Sequence, residues 1–173
     1  MKSETVKTNC RKAGIILHPT ALPSRYGIGD MGKNAKSFID MISDAGIKVW
    51  QILPLTPTGY DGCPYNSCSA FAGSELLLDI EKFQEEELLP ESIEVPDFND
   101  NRVEFQKVAD FKRELVAKAA KRFFENKTGF CEFDVFRKEN SLWLDDYALF
   151  RALTDAFDGK SWKQWPDEYR KRD

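Results

Sequence analysis

Two tyrosines, Tyr60 and Tyr65, flank Asp61-Gly-Cys-Pro64 in a stretch rich in Tyr, Ser, Thr and Asn and poor in charge. Aromatic rings in a polar setting suit sugars. The apolar face of a pyranose stacks on a ring, while its hydroxyls hydrogen-bond to Ser, Asn and Asp. The same rings could instead pack the loop down, and the residues alone leave both uses open. His18 is the only histidine. Packing or a substrate contact suits it, with proton transfer as the alternative. Asp30 and Asp61 offer carboxylates, but chemistry at a glycosidic bond needs two acids at a defined separation. Turn and cap roles account for both.

Two further constellations fail. Gly27-Ile-Gly-Asp-Met-Gly32 spells the dinucleotide pattern, yet Gly27 comes ten residues and two prolines after the apolar run ending at Leu17. The pattern works only when it follows a strand at once and opens a helix. Cys63 and Cys68 have no second pair or nearby His to complete a zinc site. With Cys10 and Cys131 they are widely spread, which fits free thiols in a reducing cytoplasm.

The elements that must position these residues are readable. Ala13–Leu17 is a short apolar run stopped by His18 and Pro19, and it predicts a strand buried on both faces. Asn34–Ala45 places Ala35, Phe38, Ile39, Ile42 and Ala45 at helical spacing, with Gly46 where a C-terminal cap belongs. Ile47–Leu53 predicts a second strand, stopped by Pro54. Together these form a βαβ unit with a parallel pair. The loop from Pro54 to about Leu76 leaves the C-terminal end of the second strand, where parallel sheets bind ligands.

Further on, Val108, Phe111, Leu115, Ala119 and Phe123 form the stripe of a helix over about 102–125. A second helix is predicted over Leu142–Phe157, with Leu142, Leu149, Leu153 and Ala156 on one side. Trp143, Trp162, Trp165 and Tyr169 read as core.

The chain's 173 residues carry 25 Lys and Arg against 29 Asp and Glu. That balance argues against nucleic acid, which needs a basic face. No apolar run is long enough to span a membrane, and the polar N-terminus lacks the apolar stretch of a secretory signal. Charge is uneven. Residues 1–80 hold 8 basic and 7 acidic side chains, and residues 81–173 hold 17 and 22. Three regions follow: a polar segment over 1–12, the βαβ with its long loop over 13–80, and a charged, mainly helical part over 81–173.

The motifs carry a family likeness. Ala13-Gly-Ile-Ile-Leu-His-Pro-Thr-Ala-Leu-Pro-Ser-Arg-Tyr-Gly-Ile-Gly-Asp30 resembles the opening strand and loop of the amylomaltases, the 4-α-glucanotransferases of glycoside hydrolase family 77. Trp50-Gln-Ile-Leu-Pro-Leu-Thr-Pro-Thr-Gly-Tyr60 and Ser67-Cys-Ser-Ala-Phe-Ala-Gly73 are similar to that family's second strand and following loop. Trp143-Leu-Asp-Asp-Tyr-Ala-Leu-Phe150, Trp162–Pro166 and Arg170–Asp173 resemble a later helical part.

The resemblance implies an α/β fold: the N-terminal part of a (β/α)8 TIM barrel, followed by a mostly helical inserted subdomain, with the barrel incomplete in this chain. It implies transfer of α-1,4-glucan segments to the 4-hydroxyl of an acceptor by a retaining double displacement, with no cofactor or metal. It makes maltooligosaccharides and α-1,4-glucans the partners, with the missing C-terminal part of the barrel as a further partner. The family's catalytic carboxylates are expected beyond Asp173, so no catalytic residue is assigned here and the isolated chain is expected to be inactive.

Substrate contacts are implied at Tyr60, Asp61, Cys63, Tyr65 and His18. Tyr60 resembles the tyrosine of a secondary glucan position, and Tyr65 the tyrosine beside the scissile bond. The family commonly reads Gly-Tyr-Gly-Asp-Ser-Pro-Tyr-Gln where this chain has Gly59-Tyr-Asp-Gly-Cys-Pro-Tyr-Asn66. A thiol at Cys63 hydrogen-bonds more weakly than a hydroxyl. A non-catalytic carbohydrate-binding or interaction module, derived from a truncated gene, is the competing reading.

Overall fold

The computed structural model describes residues 11–59, 62–127 and 129–171. They divide into two compact units. One runs to Cys68 and resumes over Gly73–Asn126; the other joins Ser69–Ala72 to the residues from Lys127 onward.

The first unit opens with the βαβ. Strand β1 (Gly14–Ile16) pairs in parallel with β2 (Val49–Gln51), Ile15 lying opposite Trp50. Helix α1 (Lys33–Asp44) connects them. Its end is the predicted one. Gly46 adopts φ +78°, its N–H reaches Ser43 O and the Ile47 N–H reaches Ile42 O, a Schellman closure. Side chains alternate along a strand, so one face carries Ile15 and Trp50 and the other Gly14, Ile16, Val49 and Gln51. Trp50 packs edge-on against Phe38 of α1 at 5.1 Å, and its indole N–H donates to Leu17 O at 2.7 Å. The other face is open: Ile16 is 68% and Val49 41% exposed. The expectation of a strand buried on both faces is thus corrected. Among the described residues the sheet has two strands, and α1 contacts one face of it.

Helix α2 (Ile80–Glu85) is short, and α3 (Phe105–Asn126) supplies the core of this unit. Val108, Leu115 and Ala119 are buried. They pack with Ile28 and Leu76 at one end and with Tyr26, Ile80 and Leu89 at the other. The seam reads 105, 108, 112, 115, 119, in steps of three and four, and Lys112 occupies its middle.

That lysine is fully buried. Its ammonium donates to Leu76 O at 2.7 Å and Leu78 O at 2.9 Å, and lies 3.6 Å from Asp30 Oδ2. Asp30 Oδ1 accepts the Gly32 N–H at 3.0 Å. Asp30 is therefore a turn residue, as expected, and also half of a buried ion pair. Burial pushes the Asp30 carboxyl up from its ordinary range, and Lys112 and the Gly32 N–H only partly offset that. Burial likewise pulls the Lys112 ammonium down against the opposing pull of Asp30.

The second unit contains α4 (Phe130–Glu139), α5 (Leu144–Ala156) and α6 (Asp167–Lys171). Its predicted leucine face is corrected: Leu142 precedes α5 and is 95% exposed, and Leu149 is also exposed. The aromatic residues take the inner positions instead. Trp165 is buried and contacts Phe150 and Phe157, and Phe157 meets Tyr169 edge-on. Rings bury more area than leucine and so decide which face turns inward. Trp162 is exposed, so the predicted tryptophan core holds for Trp165 but not for all four aromatics.

Removing one member of a buried pair strands the other. Lys112→Met should cost about 3–5 kcal/mol in urea unfolding near neutral pH. Without the ammonium, the already raised Asp30 pKa rises further, so the folded variant binds a proton where the unfolded chain does not. Its deficit against the wild type should therefore shrink as pH falls to about 5 and grow as pH rises.

Candidate functional site

A pocket of about 90 Å³ opens at the C-terminal ends of β1 and β2, lined by His18 after the first strand and Leu53 and Pro54 after the second. Thr20, Thr56, Thr58 and Ser74 add hydroxyls, and Gly62, Pro64 and Phe105 complete much of the wall. The sequence places the ligand end of the sheet here, and the hydroxyl-bearing side chains of the wall are its short polar residues.

His18 stands at the pocket edge as the N-cap of a 3-10 turn over Pro19–Ala21. Its Nδ1 accepts the Thr20 N–H at 3.4 Å and lies 2.8 Å from Thr20 Oγ1. An acceptor Nδ1 leaves the ring proton on Nε2, which donates to Pro54 O at 3.3 Å. The imidazole thus ties the exit of β1 to the exit of β2. Both of its ring nitrogens have partners within the chain.

The loop above the pocket is closed by its own backbone. Gly59 N–H donates to Asn66 O at 3.0 Å, Gly62 N–H to Gly59 O at 3.0 Å, and Asn66 N–H to Cys63 O at 3.1 Å. The last of these makes a turn with Pro64 and Tyr65 at its centre, the usual setting for proline at the first corner. Tyr65 is 72% exposed, a ring presented rather than packed down. Cys63 is half-buried in the same loop. Tyr60 and Asp61, the remaining predicted contacts, lie outside the described residues. The structure thus brings His18, Cys63 and Tyr65 to one end of the sheet.

Sequence reasoning missed Phe105. Its signal was available: the α3 stripe, read one turn earlier than Val108, lands on it. The dinucleotide-like glycines also find their use in packing. A side chain at Gly29 would collide with the carbonyl oxygens of Pro19 and Leu22, so the residue is set by close backbone approach. No group of three His, Cys, Asp or Glu side chains able to hold a metal ion forms among the described residues.

The fold is a mainly helical chain with a small parallel sheet, and it matches solved structure closely. An amylomaltase from Streptococcus agalactiae in complex with acarbose superposes with a TM-score of 0.84 at 31% identity, covering 92% of this chain and 32% of that one. The 4-alpha-glucanotransferase family profile, glycosyl hydrolase family 77, matches residues 17–173. The chain belongs to this family. It is 42% identical over 165 residues to the 4-alpha-glucanotransferase of Aquifex aeolicus, covering 94% of this chain and 33% of that protein. It is 41% identical to the enzyme of Thermus thermophilus, covering 94% and 33%. A chloroplastic/amyloplastic relative from Oryza sativa is also 41% identical, covering 94% and 28%. The chain thus spans about a third of the length of these relatives.

The hydrogen bonds of His18 to Thr20 and to Pro54, at about 1 kcal/mol for each partner, make His18→Ala a loss of about 1–2 kcal/mol in thermal or urea unfolding. His18→Gln, which can still donate to Pro54 O, should recover part of it.

Proposed function

We propose that this chain is the part of a 4-α-glucanotransferase that opens the barrel and supplies glucan contacts beside the site of chemistry. The whole enzyme would cleave an α-1,4-glucan, hold the segment on a carboxylate nucleophile with retention, and pass it to the 4-hydroxyl of an acceptor. In this reading the nucleophile and the acid/base sit on later barrel strands, outside this chain. The charged helical residues from 81 onward belong to an inserted subdomain. Maltooligosaccharides and α-1,4-glucans are the substrates, and the remaining barrel strands are the partner of the open sheet. Exposed free thiols at Cys68 and Cys131 suit a reducing, cytoplasmic setting. No helix among the described residues is long and apolar enough to cross a membrane.

One observation carries the reading. Within a chain of this family, a loop presents Tyr65 to solvent beside a mainly apolar pocket, with Thr and Ser in its wall, at the ligand end of the parallel pair. In this reading a pyranose stacks its apolar face on that ring. Tyr60, Asp61, Cys63 and His18 are the other contacts in this proposal. Cys63 contributes less than a hydroxyl would, and His18 acts through the position of Pro54.

The isolated chain should show no maltotriose disproportionation. Turnover above blank, free of contaminating enzyme, would overturn the assignment of the chemistry to later strands. Tyr65→Ala, in the chain extended to the length of its relatives, should lower kcat/KM on maltooligosaccharides by about tenfold, the scale of one lost stacking contact. Unchanged kinetics would refute the stacking role.

A further inference from the structure

We propose that Phe105 is a positioning residue for the loop residues Gly62–Asn66: its ring is the seat on which Gly62, and through it the turn that carries Tyr65, is held. The three backbone bonds described above close the loop on itself. They do not by themselves fix it relative to the sheet. Gly62 adopts φ +67°, and a Cβ built on it would lie 2.6–2.7 Å from Cε2, Cδ2 and Cζ of Phe105. Such distances mean that one edge of the ring is pressed on the Gly62 backbone, in space a side chain would otherwise take.

The ring is itself half-buried against the core. Phe105 is the first residue of α3 and packs in the cluster of Ile28, Leu76 and Val108. It therefore transmits the position of a buried core to a surface loop. Phe105 and Gly62 also wall the same pocket as His18, so the seat lies between the loop and the strand exits. Pre-positioning of a contact loop matters because a loop ordered only on binding loses affinity to the entropy of ordering.

The functional half of this inference rests on the reading of the loop as a glucan contact, whereas the ring-on-loop half does not. Amide hydrogen exchange and maltoheptaose titration of the chain separate the two. In Phe105→Ala, the Gly62 and Asn66 amides should exchange about tenfold or more faster. The Leu17 amide, bonded to Gln51 O at 3.1 Å, should keep its rate. Phe105→Tyr should restore the slow loop amides, and maltoheptaose affinity should fall about five- to tenfold in the Ala variant and recover in the Tyr variant.

Unchanged loop exchange in a folded Phe105→Ala overturns the proposal. If that variant fails to fold, Phe105→Leu serves instead, since it keeps an apolar side chain against Ile28, Leu76 and Val108 but removes the ring: it should speed the same loop amides, and no change would again overturn the seat. Absence of maltoheptaose binding by the wild-type chain would count against the glucan reading, and the amide pattern would still decide for or against Phe105.

Discussion

The ammonium of Lys112 is the point on which the first unit is assembled. It reaches back 34 and 36 residues to two carbonyls and further to Asp30, so three separate stretches meet at one buried nitrogen. Its three donors face three acceptors, which is the condition for a buried ammonium to be tolerated. A backbone bond from the Met31 N–H to Leu77 O, at 3.0 Å, runs alongside and holds the same two stretches together. Because the cluster is buried, the position of α3 along its own axis is specified more tightly than an apolar seam would specify it. Leucines can slide, whereas a charge with three partners cannot.

From that fixed point the helix extends seven residues back to Phe105, about 10 Å along its axis. The ring there meets the loop above the pocket. The chain of support thus runs from a buried charge, through a helix, to a ring, to a glycine, to a presented tyrosine. His18 gives a second, shorter support by tying the exits of β1 and β2 beneath the same loop. Core packing and site geometry are one problem in this unit. The second unit is held differently, by rings gathered about Trp165.

Much of this was legible in the chain. Apolar runs between Ala13 and Leu53 gave the βαβ, and Gly46 marked the helix end to the residue, because local chemistry decides both. The α3 stripe was read correctly at Val108, Leu115 and Ala119. Lys112 was not read, because a lysine on an apolar stripe is ordinarily solvated and its partners lie far away in sequence. Phe105 lies on the same stripe one turn before Val108, but its contact with a glycine 43 positions earlier leaves no trace in the periodicity. The leucine face of α5 failed because spacing alone cannot rank leucine against aromatic neighbours. The first strand was expected to be buried on both faces because its run is continuously apolar, yet a face is buried only where another element covers it.

The meeting of Gly62 with the Phe105 ring ties the histories of two distant positions together. A side chain at 62 and a full ring at 105 would occupy the same space, so a side chain at 62 is refused while the ring stands. Loss of the ring would have to come first and would leave a gap beneath the loop. Even then the positive φ of Gly62 would strain any larger residue there. A graft of the loop onto a related scaffold will therefore carry its geometry only if the ring travels with it.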